Sequence, residues 1–216
     1  MKTRALPAVA AIAALTLSAG CAGFHSNEAV PQIYTLAYNA PANSPASGNP
    51  PAPGSVATPG IPVTSAATVQ VLRPLAAPGL DTDQIALLRD AQRLDYYAAS
   101  HWPAPLPDLL QTLAVDALRA SGRYRAVQPD GTAFTADQVL QIEIRHCEVE
   151  YAPDGSPVVH VQLLATLGHQ GDRSLLGSVS AEGEVPAAAN RMQSVVAAFQ
   201  DAVSRSLTQL AAGLAP

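Results

Sequence analysis

His146, Cys147, Glu148 and Glu150 fall together near the middle of the chain, and His160 follows ten residues after Glu150. Imidazole, thiolate and carboxylate are the ligands of transition-metal sites, so this is the densest group of potential donors in the sequence. Both stretches alternate polar and apolar residues as strands do, and a period of two sends Cys147 to one face and His146 and Glu148 to the other. Asp154-Gly155 between them reads as a two-residue hairpin turn, which sets His160 opposite Val149 rather than His146. On that register the donors do not converge, and no metal or other cofactor is expected.

The remaining chemistry-bearing residues are scattered. Serines are abundant, but no Gly-x-Ser-x-Gly elbow occurs, and His101 has no nucleophile near it in sequence. Gly168 and Gly171 belong to a turn joining two strands; a phosphate loop would instead open a helix. Asp81, Asp83, Asp90 and Asp95 lack the spacing of a calcium loop and read as solvated turn carboxylates. With no catalytic constellation, the sequence predicts a protein that is not an enzyme. Cys147, the lone tryptophan Trp102 and Phe199 are read as core residues.

Of 216 residues, 48% are hydrophobic and 13% charged, so the chain can bury a core. Twelve basic against 17 acidic residues give a formal charge of −5, the wrong sign for gripping nucleic acid phosphates. Lys2 is the only lysine, and no window gathers enough arginine to hold an anionic membrane by charge.

The elements that must position these residues follow from periodicity. A short strand is expected over residues 32–38 and others over 68–72, 85–89 and 93–97, where 85–89 is also compatible with helix by propensity. Leu106, Leu109, Leu110, Leu113, Ala117 and Leu118 recur at helical spacing, with Pro107 and Asp108 suited to the start and Gly122 to the end. A brief strand over 123–127 precedes a turn at Pro129, Asp130 and Gly131. Long strands over 139–151 and 157–167 make a hairpin, and a third covers 174–180. In the first arm the apolar set moves from Ile142 and Ile144 to Cys147, Val149 and Tyr151; a one-residue change of phase predicts a bulge near Arg145 and His146. A final helix over 188–212 buries Val195, Ala198, Phe199, Ala202, Val203, Leu207 and Leu210. The expected fold class is α/β, an antiparallel or mixed sheet packed by at least two helices.

The N-terminus reads as an export signal over 1–20: Lys2 and Arg4, an uncharged stretch over 5–20, then Cys21. Leu17, Ser18, Ala19, Gly20 and Cys21 resemble a bacterial lipobox, with Ser18 where an aliphatic residue is commoner. The cysteine sulfur would receive a diacylglycerol, and Ala22, in place of aspartate, resembles default sorting to the outer membrane. Eight of the 19 prolines fall between Pro31 and Pro62, so residues 21–66 are expected to hold the lipidated terminus, the short strand and a proline-rich linker ahead of a domain over 67–216.

Over nearly the whole mature chain the sequence resembles the PqiC-like, ABC-type transport auxiliary lipoproteins. The likeness runs through Cys21, Tyr34-Thr35-Leu36, the stretch 80–85, Tyr96 through Trp102-Pro103-Ala104-Pro105-Leu106, the Pro153-Asp154-Gly155 hairpin and the closing helix. It departs from the family pattern in its long proline-rich insertion and in Cys147, where an aromatic is more usual. The resemblance implies a fold similar to the TolB N-terminal domain and a periplasmic domain anchored in the outer membrane. It further implies an auxiliary role beside an MCE-domain protein that carries lipid between membranes, powered by an ABC transporter. Other readings of an anchored, linker-bearing domain are an activator of a cell-wall synthase and a small lipid-binding or hydrolytic lipoprotein. Self-association as a homo-oligomer is left open.

Overall fold

The computed structural model describes residues 30–40, 67–89 and 92–214; the expected signal segment 1–20, Cys21, the proline-rich stretch over 41–66 and Asp90 lie outside the described residues. Among the described residues eleven elements follow one another: β1 (Gln32–Ile33), β2 (Thr68–Val71), β3 (Leu75–Ala76), β4 (Gln84–Arg89), β5 (Arg93–His101), α1 (Leu106–Ser121), β6 (Ala126–Pro129), β7 (Gln138–Tyr151), β8 (Pro157–His169), β9 (Leu175–Pro186) and α2 (Met192–Gly213). The nine strands form one open mixed sheet, with two helices packed against it. The fold is α/β with a mixed sheet.

β7 is the spine of the sheet. Along one edge it pairs in parallel with three short strands in series, as shown by Val69↔Gln138 (β2), Leu75↔Glu143 (β3) and Leu87↔Val149 (β4). Pro74, which has no N–H to give a ladder, separates β2 from β3. The ladder resumes beyond it, where Ala77 N–H donates to Ile144 O at 2.9 Å. Along its other edge β7 pairs antiparallel with β8, and β8 with β9. The register shifts between Ile144 and His146, which places the bulge at Arg145. Before it Leu140, Ile142 and Ile144 are buried; beyond it Cys147 and Val149 are, as the change of phase requires.

The turn between β7 and β8 differs from the expected one. The last ladder pair is Tyr151↔Pro157, and Ala152 N–H donates to Ser156 O at 2.9 Å. Only Gly155 of the loop 153–155 has positive φ, +81°, whereas a two-residue type I′ turn needs two such residues. The loop therefore holds three residues, and every cross-strand partner moves by one: His160 stands opposite Glu148, not Val149.

Other boundaries also shift. The strand expected over 32–38 stops at Ile33; it pairs in parallel with β5, and the chain then crosses onto α2, where Ala37 N–H donates to Gln200 Oε1 at 2.9 Å. The segment 85–89 is strand, since β7 and β5 take up its backbone groups. β9 runs six residues beyond the expected end at Ser180, carried by its pairing with β8. α1 begins with a proline in its first turn and ends on Gly122 in the left-handed region at φ 66°. Its apolar stripe, that of α2 and one face of the sheet enclose the core, where Trp102 meets Phe199 edge-on with ring centroids 5.3 Å apart. Gly183 of β9 lies against α2 so closely that a Cβ there would sit 2.4 Å from Ala202 O. No helix among the described residues is long and apolar enough to cross a membrane.

Candidate functional site

The bulge at Arg145 has a chemical outcome on the sheet face away from the helices. By shifting the phase of β7 it turns His146, Glu148 and Glu150 outward, and the three-residue loop brings His160 across from Glu148. One donor atom from each of these four residues lies within 4.8 Å of the others. The expectation that His160 faces Val149, away from His146 and Glu148, is thus corrected. It rested on a register that is one residue out, and in a period-two structure one residue decides which side chains are neighbours. Cys147 points to the opposite face, as alternation demands.

Glu148 is the fixed point of the group. Its side chain is only 5% exposed, with Oε2 accepting the Cys147 N–H at 2.6 Å and Oε1 lying 2.6 Å from His146 Nδ1. The His146 and His160 rings stack with centroids 4.6 Å apart and planes 19° from parallel. His160 Nε2 lies 3.0 Å from Glu182 Oε1, and its Nδ1 lies 3.8 Å from Glu150 Oε1. Glu182 escaped the sequence reading because β9 was expected to end before it. Glu150, His160, Glu182 and Glu184 also line a cleft of about 370 Å³ at this end of the hairpin. A face that gathers four carboxylates around two imidazoles seeks positive charge.

The other candidates separate in space. Cys147 is buried against the core, where desolvation first, and the Glu148 carboxylate second, push its thiol pKa far up. Trp102 and Phe199 are 3% and 0% exposed. The aspartates form separate pairs: Asp81 with Arg73 at 2.8 Å and Asp95 with Arg89 at 3.1 Å. Asp83 Oδ2 lies 3.3 Å from His101 Nδ1, ion-pair distance but off the hydrogen-bond line, a pairing that sequence separation concealed. Among the described residues no serine hydroxyl or cysteine thiol hydrogen-bonds His101, and the adjacent Ser100 Oγ donates instead to Ala98 O at 3.3 Å. Around Gly168 and Gly171 the chain makes a tight turn in which Asp172 accepts from Ser174 N–H at 3.0 Å.

The domain bearing this site can be placed among known proteins. The model for the ABC-type transport auxiliary lipoprotein component matches residues 34–211, from the segment after β1 into the last turn of α2. The chain belongs to the ABC-type transport auxiliary lipoprotein family. Its fold is that of the crystal structure of protein XCC0632 from Xanthomonas campestris, at TM-score 0.68 and 24% identity over 83% of this chain and 92% of that one. A second solved structure, an uncharacterized protein, matches at TM-score 0.53 and 16% identity, covering 72% and 93% of the two chains. Lipoprotein GNA1162 from Neisseria meningitidis is a more distant likeness, TM-score 0.36 and 18% identity over 61% and 90%. None of the curated proteins matches the chain.

Proposed function

We propose that this family member is an outer-membrane-anchored periplasmic lipoprotein, held by acyl chains on Cys21. In this reading it serves, without catalysing a reaction, as an auxiliary component of an ABC/MCE-type lipid transport system, docking on the MCE-domain protein. The observation that carries the reading is the family match over residues 34–211, downstream of a lipobox-like Leu17-Ser18-Ala19-Gly20-Cys21. Physical chemistry supports the anchor. Each buried acyl methylene contributes about 0.8 kcal/mol, so two or more chains hold a domain that has no basic patch to do so.

The test is acyl labelling joined to crosslinked co-purification from cells of the source bacterium. The wild-type chain should incorporate labelled palmitate, fractionate with the outer membrane and recover an MCE-domain protein. Cys21→Ser should lose label and membrane retention. Recovery of a cell-wall synthase in place of the MCE-domain protein, or membrane retention of Cys21→Ser, would overturn the proposal.

A further inference from the structure

We propose that the outer face of the β7–β8 hairpin is a binding site for a divalent transition metal of the zinc class, ligated by His146, Glu148, Glu150 and His160. This inference is independent of the transport reading; it rests on three observations. The four donors lie within 4.8 Å of one another. Tetrahedral zinc with bonds of about 2.0–2.2 Å holds its donors roughly 3.4 Å apart, so the most widely separated donors must close by at most about 1.4 Å. The side chains that would move are those with room: His146 is 42% exposed, Glu150 47% and His160 20%, whereas Glu148 is 5% exposed and held by the Cys147 N–H. A fixed anchor with three adjustable ligands can contract without moving the sheet.

Charge is the second observation. A carboxylate buried as deeply as Glu148 is costly unless a positive partner offsets it. Among the described residues no arginine pairs with Glu148; its side-chain partner is His146, an imidazole that is cationic only when protonated. Glu150 and Glu182 lie against His160 in the same way, so among the described residues the ion-pair partners of these three carboxylates are two imidazoles. A dication bound through imidazole lone pairs and carboxylate oxygens places positive charge among these side chains. The donor set is the third. Two imidazoles with carboxylates suit zinc and its neighbours better than calcium or magnesium, which prefer oxygen alone. Glu182, hydrogen-bonded to His160 Nε2 at 3.0 Å, would orient that ring while its Nδ1 faces the metal.

The experiment uses tag-free full-length mature chain, stripped of metal, titrated with Zn²⁺ against a chromophoric chelator and separately with Co²⁺. One equivalent of Zn²⁺ should bind saturably, and Co²⁺ should develop the visible absorption of low-symmetry, four-coordinate ligation. His146→Ala and His160→Ala, both at partly exposed positions, should each weaken Zn²⁺ binding at least about tenfold. They should also remove the Co²⁺ band while leaving the circular dichroism spectrum unchanged. His101→Ala should bind as wild type does. Absence of saturable binding, or binding that His101→Ala weakens as much as His160→Ala, would overturn the proposal.

Discussion

Replacing Gly183 with alanine tests the packing that fixes the sheet against α2. A Cβ at this position would lie 2.4 Å from Ala202 O, 2.8 Å from Ser206 Oγ and 3.0 Å from Ala202 C. Side-chain carbons do not approach a carbonyl oxygen so closely, and here the obstacle is helix backbone, which no rotamer change can move. Ser206 cannot yield either, because it is fully buried between α2 and β8. The helix must therefore lift by about an ångström along its contact with β9, loosening Ala198, Phe199 and Ala202 together. Overpacking of this kind costs about 1–3 kcal/mol, and the backbone obstacle puts Gly183→Ala toward the upper end. For a domain of this size that is a fall in Tm of roughly 5–10 °C. Gly177→Ala on the same strand is the matched control, since nothing lies within 4 Å of its added Cβ. Thermal and urea unfolding of the two variants should therefore diverge, with Gly177→Ala at or slightly above wild type. Equal Tm values for Gly183→Ala and Gly177→Ala would refute the close approach of helix and strand.

Trp102→Ala removes a ring that is 3% exposed and set edge-on to Phe199. It should cost about 3–5 kcal/mol by urea denaturation, and a loss below about 1 kcal/mol would contradict the burial. Cys147 should resist alkylation by iodoacetamide in the folded protein at pH 8 and react only on unfolding, because burial raises its thiol pKa. The sign of the linkage follows. The unfolded thiol ionises from about pH 8.5 while the folded one stays neutral, so its contribution to stability is full below that pH and declines above it. Cys147→Ala should flatten that alkaline decline in a urea series from pH 7 to 10. Fast alkylation of the native thiol, or an identical alkaline slope in the variant, would rule the assignment out.

Alternation, helical spacing and terminal residues determined much of this protein before any tertiary contact. The change of phase from Ile144 to Cys147 requires a bulge, because two apolar sets on one buried face cannot otherwise share one strand. Pro107 and Gly122 delimit α1 by local geometry alone. Other features were open until the chain closed on itself. Leu75 and Ala76 are strand because β7 offers them a free edge, and β9 reaches Pro186 because β8 continues beside it. Most consequential is the hairpin register. Asp154-Gly155 fits either a two-residue or a three-residue loop, and the two place His160 against different partners. The long ladder from Gln138 to Tyr151 selects the second, in which buried Val149 meets buried Val159 and both stay on the core face. The same choice sets His160 across from Glu148, so the convergence of His146, Glu148, Glu150 and His160 was settled by how the core packs, a non-local energy that no local spacing encodes.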